Sequence, residues 1–335
     1  PPGGFNIHWS RVVDLPIASI ILILKPFIRQ PWAERIACGV APLIPLAPAM
    51  LAVSFTVRRL VHRLAWPLAI VFVLGAASSM LMFSPLRIDH HGWQLACLTA
   101  TVAGLADPRR GRGGAVVGLS SALSLVIGLE MLPYVAMAGA ILGLRWVMER
   151  DEAKRLATYG ASLAGGVGAG YAGFASYDNA VARCDALTPV YLSTMLAAGV
   201  ALFALAWLNP ARREVRFVLL AVAGAVIAGG FALMFPQCLG RPEQVSPELA
   251  KNWLDNVREA KPIYAHSLRL GLTVATLPLI GLLGAIWATG QARGTERFQL
   301  WLPVTLFTGF ACLMLLWQVR AGPAAQLLAV PGAVA

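Results

Sequence analysis

Ile88-Asp89-His90-His91-Gly92-Trp93 separates two long apolar runs, residues 65–84 and 93–106. An acid and two histidines at the edge of a bilayer need a physical reason, because ionisable groups are costly there. The flanking runs decide the fold class. The chain has 335 residues, 58% hydrophobic and 13% charged, whereas a soluble domain carries about 25% charged residues. Its mean hydropathy is +0.69. Most runs between polar breaks extend over about 16–23 residues, close to the ~20 that a helix needs to cross a bilayer. They lack the strict alternation of barrel strands. Helices also satisfy their own backbone hydrogen bonds in lipid. The chain therefore reads as all-α, a polytopic transmembrane bundle.

The apolar runs are 36–57, 65–84, 93–106, 114–129, 131–148, 156–175, 190–208, 217–235, 266–288, 299–318 and the start of one at 323–335. That makes about eleven spans. A shorter run, 12–28, carries Asp14, Pro16, Lys25 and Pro26 and reads as an interfacial or re-entrant helix rather than a clean span. This divides the chain into an external loop with an interfacial helix, 1–35, and a transmembrane domain, 36–335, with a long external loop at 236–265. The chain opens Pro1-Pro2-Gly3-Gly4 and stops inside the run from Leu327 to Ala335, so both ends read as truncated.

Charge sets the sidedness. The breaks Arg58 to Arg63, Arg109 to Arg112, Arg150 to Arg155, Arg212 to Arg216 and Arg293 to Arg297 are basic and face the cytoplasm by the positive-inside rule. Residues 85–92, the turn at Glu130, 176–189, 236–265 and 319–322 then face out. We expect a multi-pass protein of a bacterial inner membrane whose functional face is periplasmic. The net charge of +11 is matched by anionic membrane lipids as partners, with no nucleic acid required.

Three polar groups collect on the outer side: Asp89-His90-His91, the segment 236–265, and Arg320. Asp89 and His91, two apart in a turn, can share one cation. An oxygen and nitrogen set suits Mn²⁺ or Mg²⁺. The alternative is that Asp89 caps the helix beginning near Trp93 and the histidines sit at headgroup level. In the long loop, Ser246 to Asp255 resembles a short amphipathic helix, with Ser246 as cap and Pro247 in the first turn. Arg320 is either a snorkelling terminus or a bidentate phosphate ligand. Cys184 and Cys238 both fall in outer segments, where an oxidising periplasm permits a disulfide. Cys38, Cys97 and Cys312 lie in apolar spans and behave as small hydrophobes. Gly165-Gly166-Val167-Gly168-Ala169-Gly170 sits inside an apolar run and fits close helix packing better than phosphate binding.

These residues resemble the GT-C glycosyltransferases, most closely the oligosaccharyltransferase catalytic subunits of the archaeal and bacterial type. Gly3-Gly4-Phe5-Asn6-Ile7-His8-Trp9-Ser10-Arg11 is similar to the Gly-rich, His-Trp-containing stretch of that family's first external loop. Ile88-Asp89-His90-His91 resembles its second acidic motif. Val257-Arg258-Glu259-Ala260-Lys261-Pro262 resembles the acidic motif of its long external loop. Arg320, with Pro323 and Pro331 downstream, resembles an arginine near the start of the last span. The sequence departs from the family with Arg258 where a small residue is usual and Asn256 where Thr or Ser is usual. It has no Trp-Trp pair, and the family's first acidic motif would lie upstream of Pro1.

The resemblance implies inverting, metal-dependent transfer of a sugar or glycan from a polyprenyl-linked phosphate donor to an acceptor. It implies Asp89, His91 and Glu259 as catalytic residues around a divalent cation, Mn²⁺ or Mg²⁺. Arg320 would bind donor phosphate, and His90, His8 and Asp14 would support the ligands. The rival readings are a transporter or lipid-linked sugar flippase, and a non-catalytic subunit of envelope-polysaccharide assembly. Transporters place polar groups near the bilayer midplane, whereas polarity here collects at the outer interface.

Overall fold

A computed structural model describes residues 10–240 and 246–335. His8, with the rest of residues 1–9, and residues 241–245 of the long loop lie outside them. No strand occurs among the described residues. The helices, in chain order, are α1 (Asp14–Leu24), α2 (Gln30–Val40), α3 (Leu46–Leu60), α4 (Trp66–Gly75), α5 (Ala77–Leu81), α6 (His91–Leu105), α7 (Arg110–Ile127), α8 (Leu132–Met148), α9 (Ala153–Phe174), α10 (Pro189–Leu208), α11 (Arg213–Met234), α12 (Pro247–Asn252), α13 (Leu268–Gln291), α14 (Arg297–Leu315) and α15 (Gly322–Val334).

Among the described residues, five helical stretches are long and apolar enough to cross a membrane: Gln30–Leu60, Pro189–Leu208, Arg213–Met234, Leu268–Gln291 and Arg297–Leu315. The other apolar runs also fold as helices. Some are short for a span, as with the 15 residues of α6 and the 13 of α15. Others, α7 and α9, are diluted by small residues. The run 65–84 does not form one helix. It breaks at Ala76, between α4 and α5. Helix α1, with 11 residues and none buried, is too short to span.

The chain forms two compact units, Pro1–Pro16 with Arg109–Gln244, and Ile17–Pro108 with Val245–Ala335. In the first, α9 lies between α7 and α10. Its glycine run lets the backbones approach. A Cβ on Gly170 would stand 2.2 Å from Val126 Cγ2 and one on Gly166 2.6 Å from Ala122 Cβ, while Gly165 faces open space. At one end, the buried Arg216 donates to the carbonyls of Trp146, Val147, Pro210 and Ala211, so one guanidinium caps α8 and the α10–α11 connection together. Glu152, also buried, accepts from Arg110 at 2.8 Å and Arg155 at 2.6 Å. Burial works to raise the Glu152 pKa, but the arginines outweigh it and hold the carboxyl below its usual range. Cys184 and Cys238 are joined by a disulfide with Cα atoms 5.2 Å apart.

In the second unit, α15 packs against α13, α14 and α3. Gly281 and Gly332 bring α13 and α15 into backbone contact: a Cβ on Gly281 would stand 2.2 Å from Ala329 O. The break at Ala76 has its own cap. Gln326 of α15, 1% exposed, accepts from the Ser78 and Ser79 backbone N–H groups at 2.9 and 3.2 Å. Its amide donates to Thr273 O at 2.9 Å. Arg59 at the end of α3 binds Asp107 at 3.1 Å and Ala103 O at 2.8 Å, fixing α3 to α6. These contacts fix α6, which begins at His91.

Candidate metal and phosphate site

The turn between α5 and α6 is held from several sides. Leu86 has φ 71°, a left-handed conformation that costs a residue with a Cβ on the order of 1–2 kcal/mol. Its N–H donates to Cys38 O of α2 at 3.0 Å, and Ile88 N–H turns back to Leu86 O at 3.0 Å. Gly92 then seats the first turn of α6. A Cβ there would lie 3.2 Å from Met82 O, the Phe83 ring and Pro45 alike.

On this turn Asp89 divides its two oxygens. Oδ1 accepts from the His91 backbone N–H at 3.0 Å and lies 3.1 Å from His91 Nδ1. Oδ2 forms an ion pair with Arg87 Nε at 2.7 Å. The three side chains are about equally accessible, 30% for Asp89 and Arg87 and 33% for His91. Partial burial pushes the Asp89 pKa up. The hydrogen bonds and charge of His91, and then the charge of Arg87, more than offset this and keep it below the ordinary carboxylate value. His90 stacks on His91, with ring centroids 4.6 Å apart and planes at 22°.

The capping alternative is partly realised, since Asp89 Oδ1 accepts from the first helical N–H of α6. That does not preclude a metal. Two atoms bound to one octahedral cation at about 2.1 Å, in adjacent positions, lie about 3.0 Å apart. The Asp89 Oδ1 to His91 Nδ1 separation is 3.1 Å. The spacing matches two ligands of one divalent ion, for which Nδ1 must be unprotonated and give up its direct contact with Oδ1.

Glu259 sits in a 3-10 turn, Arg258–Ala260, that packs against the turn Val319–Ala321. The two are joined by Val319 N–H donating to Lys261 O at 2.8 Å. The structure thus places the segments of Glu259 and Arg320 side by side. Both residues are exposed. Arg320 Nε donates to Gln318 Oε1, and Glu259 makes no hydrogen bond or ion pair to any described residue. Asp14 pairs with Arg11 at 3.4 Å at the start of α1. In the long loop 236–265, Ser246 Oγ accepts from Leu249 N–H at 3.2 Å and Pro247 opens α12.

Sequence reasoning passed over Arg87. The signal was available: residues 85–92 are expected from charge to face out, and an arginine there departs from the positive-inside pattern, as Arg320 does.

No protein-family model matches this sequence, and no curated protein matches it. Solved structures do. The archaeal oligosaccharyltransferase AglB from Archaeoglobus fulgidus, in complex with an inhibitory peptide and a dolichol-phosphate, superposes with a TM-score of 0.66 at 15% identity, over 99% of this chain and 42% of that one. The Archaeoglobus fulgidus oligosaccharyltransferase tethered to an acceptor peptide containing the NVT sequon gives 0.71 at 14% identity, over 99% and 41%. Its complex with Zn and sulfate gives 0.59 at 13%, over 99% and 41%.

The chain has the oligosaccharyltransferase fold.

It spans about two fifths of the length of those enzymes, 41–42%. The likeness is one of fold, an all-helical arrangement shared over nearly the whole of this chain.

Proposed function

We propose that this chain is a membrane glycosyltransferase. It transfers a sugar or glycan, with inversion, from a polyprenyl phosphate or pyrophosphate donor to an acceptor at the periplasmic face of a bacterial inner membrane. The observation that carries the reading is the Asp89 Oδ1 to His91 Nδ1 pair, 3.1 Å apart, in a chain whose fold matches oligosaccharyltransferases along nearly its whole length. About eleven membrane crossings belong to this reading, with the five basic breaks inside and the Asp89 turn outside.

Asp89 and His91 would hold a divalent cation, Mn²⁺ or Mg²⁺ by donor type, with Glu259 approaching from the external loop. A cation held there would supply Lewis-acid neutralisation of charge on the leaving phosphate. The chain's own residues do the rest. Arg320, exposed beside the Glu259 turn, offers a bidentate fork to donor phosphate. The His90 ring, stacked on His91, holds the imidazole in place. The apolar helix surfaces accept the polyprenyl tail.

One observation favours a second reading, a lipid-linked sugar flippase. The α4–α5 break inside an apolar run, capped by Gln326, is a discontinuous helix of the kind transporters use at their binding sites. The break carries no charge, however, and its polar groups satisfy one another. A labelled polyprenyl-phosphate sugar donor separates the two. Transferase activity cleaves the donor in detergent and releases polyprenyl phosphate in a metal-dependent manner. A flippase leaves the donor intact and moves it only across a sealed bilayer, and that outcome would replace the proposal.

A further inference from the structure

Arg87 is the residue of the Asp89 turn that the site described above leaves without a task. Its Nε forms an ion pair with Asp89 Oδ2 at 2.7 Å. Its terminal nitrogens make no hydrogen bond or ion pair to any described residue, and the side chain keeps 30% of its surface accessible. The backbone presenting it is held at a cost, with Leu86 in the left-handed region and its N–H tied to α2. Such strain persists where the surroundings enforce it and often marks a functional turn. Oδ2 carries the Arg87 contact, so a cation held by Oδ1 and His91 Nδ1 would sit on the other oxygen of the same carboxylate. The guanidinium therefore stands one carboxylate away from the cation position. An anion that meets the cation there comes within reach of the free end of the fork.

We infer that Arg87 binds the donor's phosphate group, holding Asp89 by Nε while its terminal nitrogens take up phosphate oxygen beside the cation. The inference rests on the reading of Asp89 and His91 as the donor site and deepens it. It assigns the site a second outer-face arginine, in addition to Arg320. A guanidinium suits this role because its planar array of donors can serve a carboxylate on one edge and a phosphate on another.

The test is equilibrium binding to the purified protein with Mn²⁺ present, using three probes: polyprenyl phosphate, inorganic phosphate and uncharged polyprenol. Mn²⁺ affinity is measured separately by calorimetry. Arg87→Gln should weaken polyprenyl phosphate binding roughly tenfold or more, the usual scale for losing a charged hydrogen bond. It should leave polyprenol binding unchanged, and Mn²⁺ affinity should hold or tighten because a neighbouring positive charge is gone. Arg87→Lys should recover part of the loss by restoring charge without the fork. A residue that merely braces the turn would weaken metal and phosphate together, and that pattern would overturn the assignment, as would unchanged polyprenyl phosphate binding in Arg87→Gln. Inorganic phosphate binding as tightly as the lipid would overturn the lipid as the source of the phosphate. Failure of the unaltered protein to bind both Mn²⁺ and polyprenyl phosphate would instead remove the donor-site reading on which the inference stands.

Discussion

At the scale of the residue, Asp89 joins three roles on one carboxylate: it caps α6, pairs with Arg87 and faces His91 Nδ1. These do not weigh equally in function. Asp89→Ala removes all three, whereas His90→Ala removes the ring stacked on His91 and leaves the Asp89–His91 pair in place. We expect His90→Ala to slow polyprenyl phosphate release by no more than about tenfold, with an effect on positioning rather than ligation. Asp89→Asn keeps the cap and loses the charge, so it should fold normally and bind Mn²⁺ far more weakly by calorimetry. The direction of the Asp89 shift fixes its pH behaviour. A lowered pKa means that its ionised state contributes fully above the ordinary value of about 3.9 and fades only as pH falls through the lower folded value. An acid limb of activity centred above pH 5 must therefore belong to another group. The closeness of Asp89 and His91 was legible in the sequence because two ionisable residues two apart in a turn beside apolar runs are conspicuous. The pairing of Arg87 with Asp89 was not, because it depends on the left-handed turn at Leu86, where a leucine gives no hint of that conformation. The sequence resemblance grouped Glu259 with Asp89, yet Glu259 stands exposed and bonds to neither Asp89 nor His91.

At the scale of the element, two small-residue contacts and two long-range links govern stability. Gly166→Leu should disrupt the α7–α9 packing, since even a Cβ would meet Ala122 at 2.6 Å. Gly165→Ala, facing open space, should match the unaltered protein or exceed it by up to about 1 kcal/mol. Thermal unfolding of the pair in one detergent checks both. Gln326→Leu should cost roughly 2–3 kcal/mol, because it strands two backbone donors and a carbonyl acceptor partner. The same assay shows this as a lowered midpoint with unchanged helical content. Opening the Cys184–Cys238 bridge, which closes 54 residues, should remove roughly 4 kcal/mol on the chain-entropy account. Mass spectrometry after alkylation should label both cysteines only once the protein is reduced; two free thiols without reductant would contradict the bridge. Helix class was plain from the apolar runs, but the Ala76 break was not. Hydropathy is local, and the residue that stabilises the break lies about 250 positions away in α15. Among the described residues five helical stretches are long and apolar enough to cross a membrane; α7 and α9 are less apolar because they use small residues for close packing.

At the scale of the whole molecule, the fold match and the charge pattern make separate demands. The positive-inside reading requires residues 85–92 and 236–265 to share the outer side. Single cysteines placed in these two segments, in a background that keeps the 184–238 bridge, should react with a membrane-impermeant maleimide in intact cells, while a cysteine at Arg293 should react only after lysis. Segments 85–92 and 236–265 labelling from opposite sides would break up the proposed site. The most direct measurement of the central claim is polyprenyl phosphate release from a labelled lipid-linked sugar donor, comparing the unaltered protein with Asp89→Ala at matched folded concentration, with Mn²⁺ and with chelator. The account predicts release that requires the metal and falls on the order of 10²-fold or more in Asp89→Ala, the scale of losing a main source of electrostatic stabilisation. Release that survives both the chelator and Asp89→Ala would contradict it.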